Sequence, residues 1–438
     1  MDINGSVDSL LPRLALAALA SVGLSLAACG GGGVQPDPPS GLAALTGNNS
    51  LAVRPLPAIY RATTTKAINY SPYRTALGPA QGEMTATSDI QYDLGLLSSA
   101  GFNLIRLFDT DPEHEQVLAV AAQNYPNLKF QLGINLVGIA PASQASCSNA
   151  TNESDVLNGI RLANTYSNVA SISVGNETSL FQGYMPVSCL LKYVLAVKKN
   201  VLQPVTADDD YTFYAGLSNQ GVSPEPEVPD NILPFLDFVS MHTYPMTNQG
   251  QWTAGNLGSA AALMAAAAGS ATTGEAQYTY AQVRSYIYAR GAPAGLPITV
   301  GESGWKWRPT NPVLAFSNNV NCGAVGAGNP IEGTGAHCAN GVTSGATAVA
   351  ATPVNAKWYY DLMSSWQAAG QLAASNGPLT VFYFEATDEV WKGLDDGWGL
   401  WSSAVPGGTR TPNYALCGVA GIAGAPVCTN PVYAGAGY

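Results

Sequence analysis

Charge is scarce in this sequence. Only 11% of its 438 residues are charged, and 29 acidic residues outnumber 18 basic ones, for a formal net charge of −11. A nucleic acid finds no overall basic attraction in such a chain, and an uncharged ligand suits it better. Histidine is rarer still. His114, His242 and His337 stand far apart without ligand spacing, so no metal site is expected. No glycine-rich phosphate fingerprint follows the first strand-like run, and no G-x-S-x-G elbow is present to start a serine triad. Asp208-Asp209-Asp210 has only a superficial likeness to a calcium loop and reads as a solvated turn. No cofactor is implied. Long apolar runs are also missing: Leu14 to Leu26 is too short to span a bilayer, and no later segment is long enough.

That short run follows Arg13 and ends in Leu26-Ala27-Ala28-Cys29, with glycines directly after. The arrangement resembles a bacterial lipobox, so residues 1–28 read as a signal peptide and Cys29 as the acylated mature N-terminus. Residues 29–58 are rich in Gly, Pro and Ser and read as a flexible tether. Residues 59–438, including a Cys-containing tail at 402–438, remain as the domain. The expectation is a monomer exported to a bacterial envelope and held by lipid at the outer membrane, cell surface or periplasm. Six further cysteines are an even number, which suggests three disulfides in an oxidising compartment. Cys322–Cys338 and Cys417–Cys428 each close a short Gly-rich loop, leaving Cys147–Cys189, although the sequence alone permits fifteen pairings.

From Lys66 onward, short β-rich runs alternate with helical patterns. Strands are expected at 67–71, 103–109, 129–138, 169–176, 204–208, 237–244, 297–303 and 379–386. Several are nearly continuous apolar runs, as in parallel strands buried on both faces. Helices are expected at 86–99, 114–124, 154–166, 188–200, 279–290 and 355–372, with Gly101 as a C-terminal stop and Asn355 as an N-cap. Eight alternations define an α/β chain folded as a (β/α)₈ TIM barrel. Gly/Ala-rich insertions at 246–278 and 308–350 follow strands six and seven, on the C-terminal face where barrel active sites form.

Carboxylates mark that face. Strand four ends Val174-Gly175-Asn176-Glu177 and strand seven ends Val300-Gly301-Glu302-Ser303-Gly304-Trp305. A carboxylate at the tip of a buried strand is costly unless it is used. Cleaving a glycosidic bond requires two: one protonates the leaving oxygen, and the other attacks or stabilises the sugar cation.

Five motifs in order, INYSP, NLIRLFDTD, VGNE, GESGW and FYFEATDEVWK, resemble glycoside hydrolase family 17, the β-1,3-glucanases and glucan-remodelling transferases. The resemblance runs from about Lys66 to Trp401. It implies Glu177 as acid/base, Glu302 as nucleophile, and Asn176 on the sugar hydroxyl beside the reacting carbon. It also implies that Glu385, Asp388, Glu389 and Lys392 tune the acid/base side of the site. Tyr70, Tyr244, Trp305, Tyr383 and Trp391 fall at or beyond strand ends, where aromatic rings can pack on sugar faces. Arg106 and Asp109 either orient the site or form an ion pair beneath it. His242 either touches sugar or satisfies a loop carbonyl.

The expected activity is retaining cleavage of β-1,3-glucan. Transfer of the glycosyl unit to another sugar, action on another β-linkage, and a non-catalytic carbohydrate-binding lipoprotein are the alternatives.

Overall fold

The computed structural model describes residues 41–178, 185–217, 229–246, 260–307 and 353–413. Its strands are β1 (Ala67–Asn69), β2 (Leu104–Leu107), β3 (Lys129–Ile134), β4 (Val169–Asn176), β5 (Val205–Asp210), β6 (Val239–His242), β7 (Ile298–Ser303) and β8 (Val381–Tyr383). Each pairs in parallel with the next, and β8 closes on β1. The helices are α1 (Thr87–Ser99), α2 (Pro112–Asn124), α3 (Ala150–Thr165), α4 (Val187–Asn200), α5 (Tyr211–Tyr214), α6 (Ala260–Ala268), α7 (Ala276–Ala289) and α8 (Pro353–Leu372). The expected (β/α)₈ barrel is therefore the fold.

Period-two alternation explains why these runs form a barrel. Ile105 and Leu107 on β2, Ile172 and Val174 on β4, and Val239 and Met241 on β6 join one buried cluster with the helices. Their neighbours, Arg106, Ser171, Ser173, Ser240 and His242, form the other, polar face and are also buried. At the entrance end of the strands a second cluster of Leu56, Tyr60, Ala67, Leu104, Phe238, Leu379 and Phe382 closes the barrel.

Some expectations change at the edges. Residues 41–58 are not a flexible tether but a strap laid on the barrel. Gly47 donates to Asn200, Asn49 to Val201, and Arg54 to Asp237, Gln203 and Lys198. Asn355 does not cap α8, which already begins at Pro353. Part of the 246–278 insertion is helical, as α6. Asp208-Asp209-Asp210 is not a solvated turn: it is the end of β5, with Asp208 and Asp209 fully buried. Gly101, at φ 85° after α1, is the stop expected of it.

Cys147 and Cys189 form a disulfide across 42 residues, joining the connection before α3 to the first turn of α4. Cys29, Cys322, Cys338, Cys417 and Cys428 lie outside the described residues, as does the 308–350 insertion. No described helix is long and apolar enough to cross a membrane.

Candidate active site

Two irregularities aim the key side chains. On β4 the inward sequence Ser171, Ser173 would continue to residue 175, but Gly175 takes φ 85° and the register with β5 shifts between Ser173 and Asn176. Asn176 turns inward as a result, and Glu177 follows at φ 48°. That left-handed backbone is uncommon for a non-glycine residue, and such strain clusters at functional sites. On β7, shifts against β6 and β8 lie on either side of the tip, and Glu302 turns inward while Ser303 bonds Tyr359 on α8. Gly301 is required there: a Cβ would lie 2.5 Å from Ser240 Oγ and 2.6 Å from Asp208 Oδ1.

Arg106 organises the floor of the mouth. Its guanidinium, wholly buried, donates to Glu302 Oε1 and Asn176 Oδ1 at 2.6 Å each, to Asp208 Oδ2 at 2.7 Å and to Asn69 Oδ1 at 3.0 Å. It both orients the site and forms the ion pair beneath it, with Asp208 rather than Asp109 as the pairing carboxylate. Asp109 instead binds His114 Nδ1 at 2.5 Å. Holding Asn176 by its carbonyl leaves that amide's NH₂ group unused among the described residues.

His242 stands between the two glutamates. Its Nδ1 is 2.9 Å from Glu177 Oε1 and 3.7 Å from Glu302 Oε2, and Nε2 is 3.7 Å from Asp208. Burial alone would strip its proton, but Glu302, Asp208 and Glu177 outweigh that and raise it to about 10. Tyr244 donates its hydroxyl to Glu302 Oε2 at 2.6 Å, and its ring packs edgewise on Phe384 and Trp398.

The two glutamates are driven apart electrostatically. Burial pushes Glu177 up to about 7, helped by the charges of Glu302 and Asp210, against the opposing pull of His242. Burial would raise Glu302 as well, but His242, Arg106 and the Tyr244 hydroxyl together hold it below its ordinary range. The site thus contains a carboxyl that can give up a proton near neutrality beside one that stays ionised. Donor atoms of Glu177, His242 and Glu302 all lie within 4.8 Å of one another. Among the described residues this group could clasp a metal ion. Arg106 and protonated His242 already supply positive charge there, which makes it a poor fit for a divalent cation.

A second cluster lies where β8 meets β1 and β2. Lys392 binds Glu385 Oε2 at 2.7 Å and also Glu389, over the rings of Phe384, Phe108 and Trp391. Glu389 also takes bonds from Ser71 and Trp391. Burial would raise Glu389, but Lys392 and the bonds to Glu385 and Ser71 bring it down to about 2. Burial and the Glu389 charge raise Glu385 well above its ordinary value. The negative neighbours that raise Glu177 are Glu302 and Asp210, not this cluster. Asp388 ties loops together instead, accepting from Trp307, Gly399 and Asn413.

Three expected sugar platforms are turned away from the mouth. Tyr70 donates to Asp93 on α1, Trp305 packs on Tyr359, and Tyr383 reaches Ala356 O on α8. All three are 2% exposed or less, so they are core residues between sheet and helices. For Tyr70 the alternation was a usable signal, because an inward Asn69 puts its neighbour outward. Sequence reading missed Asn69, took Asp208 for part of a solvated turn and left His242 undecided. The period-two series Ser240, His242, Tyr244 could have brought His242 forward.

A closed eight-stranded barrel carrying paired glutamates at the tips of β4 and β7 defines a (β/α)₈ glycoside hydrolase. The chain belongs to the BtgE/BtgC glycoside hydrolase domain family, whose description matches residues 67–321. No curated protein matches it. Among solved structures it is similar to an endo-laminarinase from Formosa Hel1_33_131, at 18% identity and TM-score 0.56, covering 79% of this chain and 85% of that one. It is also similar to a family 17 β-1,3-glucanosyltransferase from Rhizomucor miehei, at 20% identity and TM-score 0.47, covering 79% and 97%.

Proposed function

We propose that this glycoside hydrolase is a retaining, family 17-type enzyme acting on β-1,3-glucan, with Glu177 as acid/base and Glu302 as nucleophile. The observation that carries the proposal is the opposite proton affinity of two carboxylates whose oxygens lie within 4.8 Å. Retaining enzymes hold their carboxyls roughly 5–5.5 Å apart, whereas inverting ones leave about 6.5–9.5 Å for a water. Glu302 attacks the anomeric carbon as Glu177 protonates the departing glycosidic oxygen. A glycosyl-enzyme ester forms and a shortened glucan leaves. Glu177, now a base, takes a proton from the incoming hydroxyl, which displaces Glu302 from the sugar. The Asn176 NH₂ group serves the hydroxyl beside the reacting carbon, and Tyr244 keeps Glu302 aimed. The β-1,3 linkage rests on the INYSP, VGNE, GESGW and FYFEATDEVWK motifs. Cys29 acylation belongs to the same reading and is tested by the mass of the N-terminal peptide.

The decisive experiment incubates the chain and its Glu302→Gln variant with end-labelled laminari-oligosaccharides and sizes the products. Shorter sugars made only by the unaltered chain support the proposal, and products longer than the substrate add transfer to it. If neither protein changes β-1,3-oligosaccharides, the linkage assignment is wrong.

A further inference from the structure

The net charge of −11 conceals an asymmetry between the two ends of the barrel. Carboxylates gather at the mouth, among them Glu177, Glu302, Asp109, Asp111, Glu385 and Glu389. Cations such as Arg106 and Lys392 stand among them, whereas at the other end the cations are left largely without carboxylates. Among the described residues, the segments leading into the eight strands carry only two carboxylates, Asp230 and Asp237. Both are engaged: Asp237 lies 2.7 Å from Lys198, and Asp230 lies 3.8 Å from Arg290. Arg61 before β1, Lys129 at the start of β3 and Lys199 at the end of α4 have no carboxylate partner among the described residues. Arg284 stacks on Tyr288, with its guanidinium carbon 5.4 Å from the ring centroid. It shares with Arg61 a cavity of about 470 Å³ that opens beside Leu296 and Pro297.

The same end exposes two leucines. Leu202, between α4 and β5, is 79% exposed, and Leu372, the last residue of α8, is 84% exposed. Lys199 fits the negative C-terminus of α4. Lys129 closes no helix and Arg61 follows only the single 3-10 turn Ala58–Tyr60, so the dipole of a full helix does not account for them.

We propose that this end of the barrel docks on a bilayer surface bearing anionic headgroups, with Leu202 and Leu372 entering the interface and the mouth facing away from it. Basic side chains near an anionic leaflet are each attracted by roughly 1 kcal/mol, about fivefold in partitioning, and apolar side chains add burial in the boundary region. A soluble polyanion would use the cations alone and leave the leucines in water, so the leucines favour a lipid surface. The orientation also leaves the mouth open to a polymer approaching from the aqueous side.

Hydrogen exchange on the full chain, bound to phosphatidylcholine vesicles with and without phosphatidylglycerol, tests the proposal. Amides of residues 199–203, 291–296 and 373–377 should slow on the anionic vesicles, while residues 176–178 and 243–246 should not. Neutralising Arg61, Lys129 and Lys199 to Gln should weaken that protection roughly a hundredfold in combination. Changing Leu202 and Leu372 to Ser should also weaken it. Circular dichroism should show both variants folded, and turnover of a soluble oligosaccharide should be unchanged. Equal protection on neutral vesicles, protection that survives the three neutralisations, or protection at the mouth instead would overturn the proposal. So would protection by soluble polyphosphate when vesicles give none.

Discussion

At the scale of single residues, the chemistry depends on giving two identical side chains different surroundings. Glu302 receives Arg106 and Tyr244, while Glu177 receives burial and His242. Because Glu177 rises from 4.5 to about 7, kcat/KM should fall as pH climbs through about 7, and Glu177→Gln should abolish that limb. A pH–rate profile of both proteins checks this. The same shift affects stability. Between pH 4.5 and 7 the unfolded chain has released this proton and the folded chain has kept it, so stability falls as pH rises through that window. Arg106→Leu should be severe in another way. It removes the guanidinium from buried Asp208 and leaves only His242, 3.7 Å away, to offset that charge, at a cost of about 3–5 kcal/mol, which denaturant unfolding would measure.

At the scale of elements, glycine placement decides where functional side chains point, and one covalent tie holds two neighbouring segments together. The kink at Gly175 and the shifts at the tip of β7 turn Asn176 and Glu302 inward against the strand alternation. Alternation was legible from the apolar runs, whereas a shift of one residue near a strand tip leaves that pattern unchanged. The Cys147–Cys189 bond fixes the approach to α3 against α4, beside β4. Replacing both cysteines with Ser should cost roughly 3–4 kcal/mol, given the length of the loop they close. Thermal melts should show the drop, while kcat in the remaining folded protein stays near that of the unaltered chain.

At the scale of the whole molecule, a polar column runs the length of the barrel. Tyr60 donates to Gln131, Gln131 to Asp208, and Arg106 joins Asp208 to Glu302. The residue that plugs the closed end is thus linked to Glu302 at the open end. Tyr60→Phe should cost about 1–3 kcal/mol by leaving the Gln131 carbonyl without its donor. Activity should change less than about threefold, because Arg106 keeps all its own partners. A large loss of kcat at unchanged stability would show the column to be more tightly coupled than its contacts imply.

Local information sufficed for much of this. Eight strands, six of the helices and the two glutamates could be read from apolar periodicity and from carboxylates at strand ends, which depend on near neighbours in the chain. The sequence alone therefore determined the barrel and placed the two glutamates at its strand tips. Closure of the barrel decided the rest, because it brings residues far apart in sequence within hydrogen-bonding reach. Only then did Asn69, Asp208 and His242 join Arg106 around the glutamates. Closure likewise showed Tyr70, Trp305 and Tyr383 to be core, and turned residues 41–58 from a tether into a strap. Which of two like carboxyls keeps its proton was settled by burial and by charges from strands β2, β5 and β6, and these are set by tertiary distance.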